Sequence, residues 1–233
     1  MEKKIHDKEL GEITLRSNPR LKRYSLRISN GAIIASMPDG GSETLVLDFI
    51  NKHRGKLLEN LRKSHPQRPL LNEATEMQTN SFKLHIFHTE RENVYMKLSQ
   101  GILHIACPLD MEMESPASQG LLNGLLESAL RHEAHRILPN RLSTLAEQHG
   151  FRYSAIRISN SKSRWGSCST NGNINLSLSL MLLPDHLINY VLLHELCHTV
   201  EMNHGERFWN LMDKVTANQA KALRKELKGY QML

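Results

Sequence analysis

The most informative part of this chain is Leu187-Ile188-Asn189-Tyr190-Val191-Leu192-Leu193-His194-Glu195-Leu196-Cys197-His198-Thr199-Val200. Its apolar residues recur at helical spacing and predict a buried helix, in which two imidazoles and a carboxylate would be costly without partners. Positions four apart lie one above the other on a helix, so His194 and His198 can converge on one ion. The pattern therefore predicts a metal-binding helix.

Glu195 lies about one step around this helix from the two histidines. From there it would not ligate the ion, but it could take a proton from a water held on an open metal position. Zinc with three neutral ligands lowers the pKa of such a water to roughly 7. The spacing thus predicts metal-assisted hydrolysis with Glu195 as the general base.

Two residues are candidates for the third ligand. Glu201 is two turns after His194 on the same face, so it could ligate or orient a ligating imidazole without a break in the helix. His204 can reach the ion only if the chain turns, and Asn203 and Gly205 favour a turn because both accept the left-handed conformation. We expect His204 to be the ligand and keep Glu201 as the alternative.

A wider set of residues carries a family resemblance. It comprises Ser163-Arg164-Trp165-Gly166-Ser167-Cys168-Ser169, Gly172, Ile174, Leu176, Leu180, Pro184, Tyr190-Val191, the histidine motif, Asn203-His204-Gly205, Phe208-Trp209 and, near the amino terminus, Arg23, Ser25-Leu26-Arg27-Ile28, Gly31 and Pro38. With these the chain resembles the YgjP-like metal-dependent hydrolases, also called YgjP-like metallopeptidases. It is more distantly similar to the SprT-like zinc proteases.

The resemblance implies a zincin-like helical domain with zinc on His194, His198 and His204. It also implies that Glu195 is the catalytic acid and base. The chain departs from the family at Ser177, where many members carry Asn, and this departure leaves the metal site unchanged.

Arg164 and Tyr190 are candidates for contacts with the substrate. A hairpin before the metal helix can lay one edge beside the ion, where an extended substrate could add as a strand. Arg164 could then bind a substrate carboxylate or phosphate or stabilise an oxyanion; the alternative is a structural salt bridge or a stack on Trp165. Tyr190, one turn before His194, could donate to the oxyanion or pack in the core.

The order of predicted elements indicates an α+β fold. Residues 1–110 form a sheet-rich region: a meander of short strands over 11–38, one helix over 43–63, and strands over 80–108. Residues 111–233 form the metal-hydrolase domain. Its predicted elements are a helix over 116–138 that breaks at Pro139 and resumes to 148, strands over 153–159 and 173–180 joined by the loop 164–172, and helices over 184–201 and 205–228.

The chain has 233 residues and a net charge of +6 that is unevenly spread. Residues 1–68 hold 14 Lys and Arg against 8 Asp and Glu, and the remainder balances at 16 of each. The densest basic run is Arg16, Arg20, Lys22, Arg23 and Arg27. This run predicts an acidic or phosphate-bearing partner, such as a nucleotide or nucleic acid; the alternative is a solvated strand edge.

The cysteines and the apolar runs bear on the compartment. Three cysteines, Cys107, Cys168 and Cys197, do not suggest a disulfide framework, so we expect a reducing cytoplasm. Because the first ten residues are charged, we expect no signal peptide. No apolar run reaches the about 18 residues of a membrane span. We expect a cytoplasmic protein without membrane contact.

These observations predict a peptidase-like zinc hydrolase with one zinc ion, although another divalent metal could take its place. Two alternatives stay open: a hydrolase of nucleotide phosphate-anhydride bonds, and a nucleic-acid-binding module with a structural zinc. Glu195 discriminates, because a structural zinc site has no use for a carboxylate beside an open coordination position.

Overall fold

The computed structural model describes residues 2–19, 21–29, 32–64 and 70–232. The chain forms two compact units, Met1–Pro69 and Leu70–Leu233, with separate hydrophobic cores. The fold is mixed α+β, with a sheet-rich amino-terminal part before a helical part, as the sequence predicted. The units divide at residues 69/70 rather than at 110/111, because the strands of residues 83–108 share a core with the helices that follow.

The first unit is a four-stranded sheet packed against two helices. Its elements are β1 (Glu2–Asp7), β2 (Gly11–Ser17), β3 (Ser25–Ser29), β4 (Ala32–Met37), α1 (Glu43–Lys52) and α2 (Arg54–Ser64). The strand order is β1-β2-β4-β3 with β2 and β4 parallel, so the predicted meander is wrong. Burial explains the order: Ile33 and Ala35 of β4 are fully buried and take an inner position in the sheet.

Two further features of the first unit differ from the prediction. β1 occupies the charged opening segment, where Ile5 packs on the core and Lys4 pairs with Glu12 of β2. The helix predicted over 43–63 is two helices, separated at His53, whose φ of −105° and ψ of 9° are not helical. Gly31 of the resemblance pattern lies outside the described residues.

The second unit begins with a three-stranded sheet packed on a long helix. β5 (Lys83–Thr89), β6 (Tyr95–Ser99) and β7 (Ile102–Pro108) form the sheet within the predicted strand region. α3 (Pro116–His149) then runs without interruption, so the predicted break at Pro139 is wrong. A proline removes one backbone donor, and the fully buried Leu138 and Leu142 hold the helix to the core on either side of it.

A small sheet precedes the metal-site helix. Its strands are β8 (Ala155–Ser159), β9 (Gly166–Cys168) and β10 (Asn173–Ser177), in the order β8-β10-β9. The two predicted strands do pair, but in parallel, and β9 lies inside the predicted loop. The tight hairpin is β9–β10, because Gly172 takes a φ of +71° and its N–H donates to Ser169 O at 2.9 Å. A short 3₁₀ helix, Leu178–Leu182, replaces the end of the predicted second strand.

Three helices complete the unit: α4 (Asp185–Cys197), α5 (Glu206–Val215) and α6 (Ala220–Leu227). α4 is buried around most of its circumference and ends at Cys197, earlier than predicted. The single helix predicted over 205–228 is divided between α5 and α6, where Ala217 and Asn218 adopt left-handed φ values of 50° and 63°. Within the described residues, no helix combines the length and apolar character that a membrane crossing needs.

Arg141 on α3 fixes the start of α4. Its Nε donates to Asn189 Oδ1 at 2.6 Å, and its terminal nitrogens donate to the carboxylate of Asp185 and, at 2.7 Å, to the main-chain oxygen of Asp185. Asn80 Nδ2 donates to the same carboxylate at 3.0 Å. The hydrogen bonds from Arg141 and Asn80 hold the pKa of Asp185 below its usual range. One guanidinium thus ties the two helices together.

We predict that Arg141→Ala lowers the free energy of unfolding of the second unit by about 2 kcal/mol, because hydrogen bonds to charged groups are worth about 1.5–3 kcal/mol and are not additive. Urea unfolding followed by tryptophan fluorescence measures this change. The exposed Arg152 is the matched control, and Arg152→Ala should shift stability by less than about 0.5 kcal/mol. Equal effects of the two variants would contradict the assignment.

A bidentate ion pair joins β1 to α2 in the first unit. Arg54 donates to Asp7 Oδ1 at 2.9 Å and to Asp7 Oδ2 at 2.7 Å. The backbone N–H groups of Leu10 and Glu9 also donate to Asp7 Oδ1, each at 3.0 Å. The Arg54 guanidinium and the Leu10 N–H hold the pKa of the Asp7 carboxyl well below its usual range.

Because the folded-state pKa of Asp7 is depressed, its stabilisation is complete above the unfolded-state pKa of about 4 and is lost as the pH falls toward the folded-state value. We therefore predict that Asp7→Asn destabilises the first unit at neutral pH and that the difference from wild type shrinks below about pH 4. Hydrogen exchange of peptides from residues 2–19, measured across urea series at several pH values, checks this. Glu12→Gln is the control, and a difference that stays constant with pH would refute the prediction.

Candidate metal centre

His194 and His198 lie one turn apart at the carboxyl end of α4, as predicted. Their Nε2 atoms are 3.2 Å apart. Two nitrogens bound to one tetrahedral zinc at about 2.0–2.1 Å would lie about 3.3 Å from each other. The helix therefore presents the pair at a spacing that suits a single ion.

His204 completes the cluster, because the chain turns after α4. Its Nε2 lies 3.0 Å from His194 Nε2, and one ligand atom from each of the three histidines lies within 4.8 Å of the others. The turn is not made as expected: Gly205 has a φ of −78°, and Asn203 is not among the described residues with positive φ. The helix instead ends at Cys197, whose carbonyl accepts from Glu201 N at 2.9 Å.

Aromatic rings from α5 pack against all three imidazoles, and two of these contacts are stacked. Phe208 is fully buried and stacks on His198, with ring centroids 4.5 Å apart and an interplanar angle of 26°. Trp209 stacks on His204, with centroids 5.9 Å apart and an angle of 28°. These contacts fix the planes of the imidazole rings. Helix α5 thus orients His204, which lies after the end of α4.

A backbone hydrogen bond orients His198. Its Nδ1 lies 3.1 Å from the main-chain oxygen of Glu201, which can only accept, so Nδ1 carries the proton and Nε2 offers its lone pair to the cluster. Glu201 thus contributes its carbonyl group, and its carboxylate is not part of the metal-ligand cluster. Of the two candidates for the third ligand, the geometry brings His204 into the cluster.

The donor set fits a divalent cation. Burial, together with the charges of His198 and His204, lowers the pKa of His194 to about 3, and burial also lowers the pKa of His198. Both rings are therefore neutral near pH 7, which is the form that binds metals. Three imidazole nitrogens at one point, two of them on neutral rings, are a suitable set for zinc.

Glu195 is buried directly beside this cluster. Only 5% of its surface is exposed, and its Oε2 has no hydrogen-bond partner within the described structure. Burial raises its pKa to about 8, while the positive charge of Arg164 acts in the opposite direction. A buried carboxylate without a hydrogen-bond partner is costly. We therefore expect a group from outside the protein to form a hydrogen bond with Glu195.

Gly166 of β9 covers the Glu195 side chain. A Cβ atom at this position would lie 2.6 Å from Glu195 Oε1 and 2.7 Å from its Cγ. Only glycine leaves the carboxylate this space. β9 therefore sits against the general-base candidate, and the glycine allows the close approach.

The other candidates differ in their surroundings. Tyr190 is 3% exposed, its ring centroid lies 6.1 Å from that of His194, and burial raises its pKa. Arg164 is exposed, yet its charge reaches Glu195. Burial raises the pKa of Cys197 to about 12 and raises that of Cys168, so neither thiol ionises readily. The cysteines are thus poor ligands beside three histidines.

The predicted basic run belongs to the first unit. Arg16, Lys22, Arg23 and Arg27 are exposed, with Arg16 on β2 and Arg27 on β3, while Arg20 lies outside the described residues. The predicted acidic or phosphate-bearing partner finds no support.

Sequence reasoning missed two residues near the cluster. Gly166 belongs to the resemblance pattern, but spacing alone gave it no role, because only the fold places it on Glu195. Arg224 of α6 lies with its guanidinium carbon 4.9 Å from the centre of the Trp209 ring. Nothing in the sequence links Arg224 to His204, and the packing of α6 against α4 and α5 brings them together.

A family model described as YgjP-like, metallopeptidase domain, matches residues 22–230, and the chain belongs to this family. The protein is therefore a metal-dependent hydrolase of the metallopeptidase class. No curated protein matches the chain significantly. Among solved structures, the chain is similar to the metallopeptidase zymogen of Pyrococcus abyssi abylysin, with 23% identity and a TM-score of 0.37, over 42% of this chain and 100% of that one.

We predict that Gly166→Ala reduces hydrolytic activity by about 10- to 100-fold, because the new methyl group must displace the Glu195 carboxylate. The metal content, measured by atomic absorption, should stay unchanged. Gly124→Ala is the matched control, since a Cβ at that position of α3 meets nothing within 4 Å. A Gly166→Ala variant with full activity would show that Glu195 does not need this position.

Proposed function

We propose that the protein is a zinc-dependent peptidase in which His194, His198 and His204 hold the ion and Glu195 acts as the general base. The observation that carries the proposal is the juxtaposition of three converging Nε2 atoms with a buried carboxylate that has no protein partner. Zinc in such a site supplies a Lewis acid and makes water acidic enough to react near neutral pH. The other steps belong to the chain's own residues.

Glu195 moves the proton. Its Oε2 is buried and has no protein hydrogen bond, so it can accept a proton from the attacking water. Once protonated, the same carboxyl group can return that proton to the departing amine. A structural zinc site would leave such a carboxylate without a use, so this residue favours an enzyme over a binding module.

The free edge of β9 suits a peptide main chain. Trp165 O accepts from Ser177 N at 2.8 Å, and Ser169 N donates to Asn173 O at 3.0 Å, so alternate residues direct their polar groups toward β10. The backbone groups of Gly166 and Cys168 then point to the other edge, where the described residues place no strand. An extended peptide could add there as a strand beside Glu195.

Tyr190 and Arg164 are the candidates for stabilising the oxyanion. The raised pKa of Tyr190 keeps its hydroxyl protonated and able to donate at neutral pH. Arg164 is exposed beside Glu195, so a substrate could meet its guanidinium from solvent. No observation in the structure favours a phosphate-anhydride over a peptide bond at this site, so nucleotide hydrolysis enters as an outcome of the test.

We predict that Glu195→Gln retains one zinc per chain but loses about 10²- to 10⁴-fold in peptide cleavage, which is the usual contribution of a general base. The assay compares zinc-loaded wild type and variant on a mixed peptide library and, in parallel, on nucleoside triphosphates. Glu114→Gln, at an exposed glutamate before α3, is the control and should keep full activity.

Full cleavage by Glu195→Gln would overturn the role of Glu195. Turnover of triphosphates without turnover of peptides would overturn the peptidase assignment. Zinc retained at full affinity after His204→Ala would overturn the proposed ligand set.

A further inference from the structure

A layered contact borders the metal centre on the side of His204. The guanidinium of Arg224 lies 4.9 Å from the centre of the Trp209 ring, and Trp209 stacks on His204 with centroids 5.9 Å apart. The Trp209 ring is also 6.4 Å from that of His194. His204 and Arg224, the two outer members of this stack, are both exposed to solvent.

Arg224 differs from three arginines of α3, which each have a carboxylate partner. Arg131, Arg136 and Arg141 each pair with an acid, at Glu127, Glu133 and Asp185 respectively. By contrast, Arg224 forms no ion pair within the described residues. Its donors are therefore available while the indole holds its plane.

The charge of Arg224 lies close to the metal centre, because the guanidinium lies over Trp209 and Trp209 stacks on His204. A positive charge here does not help to hold a metal cation, and it repels one. A role toward an anionic part of the substrate explains its position better than a role toward the ion.

We infer that Arg224, whose guanidinium lies over the Trp209 ring, binds a carboxylate of the peptide substrate, so that the enzyme prefers peptides with a free carboxyl terminus or an acidic side chain next to the cleaved bond. This inference rests on the proposed function. A planar guanidinium offers a carboxylate two parallel charge-assisted hydrogen bonds, which gives direction as well as attraction. Arg164, which acts on Glu195 beside β9, is a second and separate guanidinium at the site.

A purely structural role for Arg224 gives a different expectation. If the guanidinium only supports Trp209 and thereby His204, its loss weakens zinc binding and slows all substrates alike. A subsite for a carboxylate affects only the substrates that carry one. The two roles are separated by comparing matched acid and amide ligands.

The experiment measures binding of four acetylated tetrapeptides to the zinc-loaded full chain by calorimetry. One pair is tetra-alanine with a free or an amidated carboxyl terminus, and the other is an amidated alanine peptide with one internal glutamate or glutamine. We expect wild type to bind at least one acid about tenfold more tightly than its amide. The pair that shows the preference tells which carboxylate is recognised.

Arg224→Gln should abolish this preference without changing the affinity for the amide or the zinc content. Arg224→Lys should keep part of it, because it retains the charge but not the planar pair of donors. Lys221→Gln, at an exposed cation on the same helix, is the matched control and should keep all of it.

Equal binding of acids and amides by wild type would overturn the inference. A preference that survives Arg224→Gln would assign the carboxylate to the zinc or to Arg164 and would also overturn the inference. These outcomes do not depend on turnover, whereas failure of the proposed function appears as undiminished cleavage by Glu195→Gln. The two failures are thus distinguishable.

Discussion

The cost of burying polar groups on α4 is the constraint on which the second unit depends. α4 is packed around most of its circumference, yet it carries two histidines and a glutamate. Such groups are tolerated in an apolar environment only when they are paired, and the protein pairs them incompletely: Glu195 Oε2 and His194 Nδ1 have no partner among the described residues. The surrounding elements bring the Nε2 atoms of the histidines to a single point and bury Glu195 next to His194.

Much of this could be predicted from the sequence. Spacing four residues apart placed His194 and His198 on one face, and their 3.2 Å separation agrees with that prediction. The α+β class and the family are confirmed, since both rest on patterns that extend over most of the chain. The assignment of each residue to a catalytic or ligating role stays a prediction, because the geometry is compatible with it but does not demonstrate it.

What could not be predicted depends on tertiary packing. Pro139 signals a helix end locally, but burial of Leu138 and Leu142 overrides it. The residues of a short strand do not determine which strand it pairs with. The parallel pairing of β8 with β10 and the strand at Gly166 could therefore not be predicted. Arg224 follows His204 by 20 residues without any periodic relation, and only the packing of α6 brings it to the site.

The continuity of α3 has a consequence for how the protein loses activity. Its 34 residues contact the small sheet, the 3₁₀ helix and α4, and its buried side chains belong to the same core as the sheet β5-β7-β6. Because the buried side chains of α3 belong to one core, unfolding any part of the helix exposes apolar surface of that core. We therefore expect the second unit to melt cooperatively, so that the histidine cluster forms only when the unit as a whole is folded.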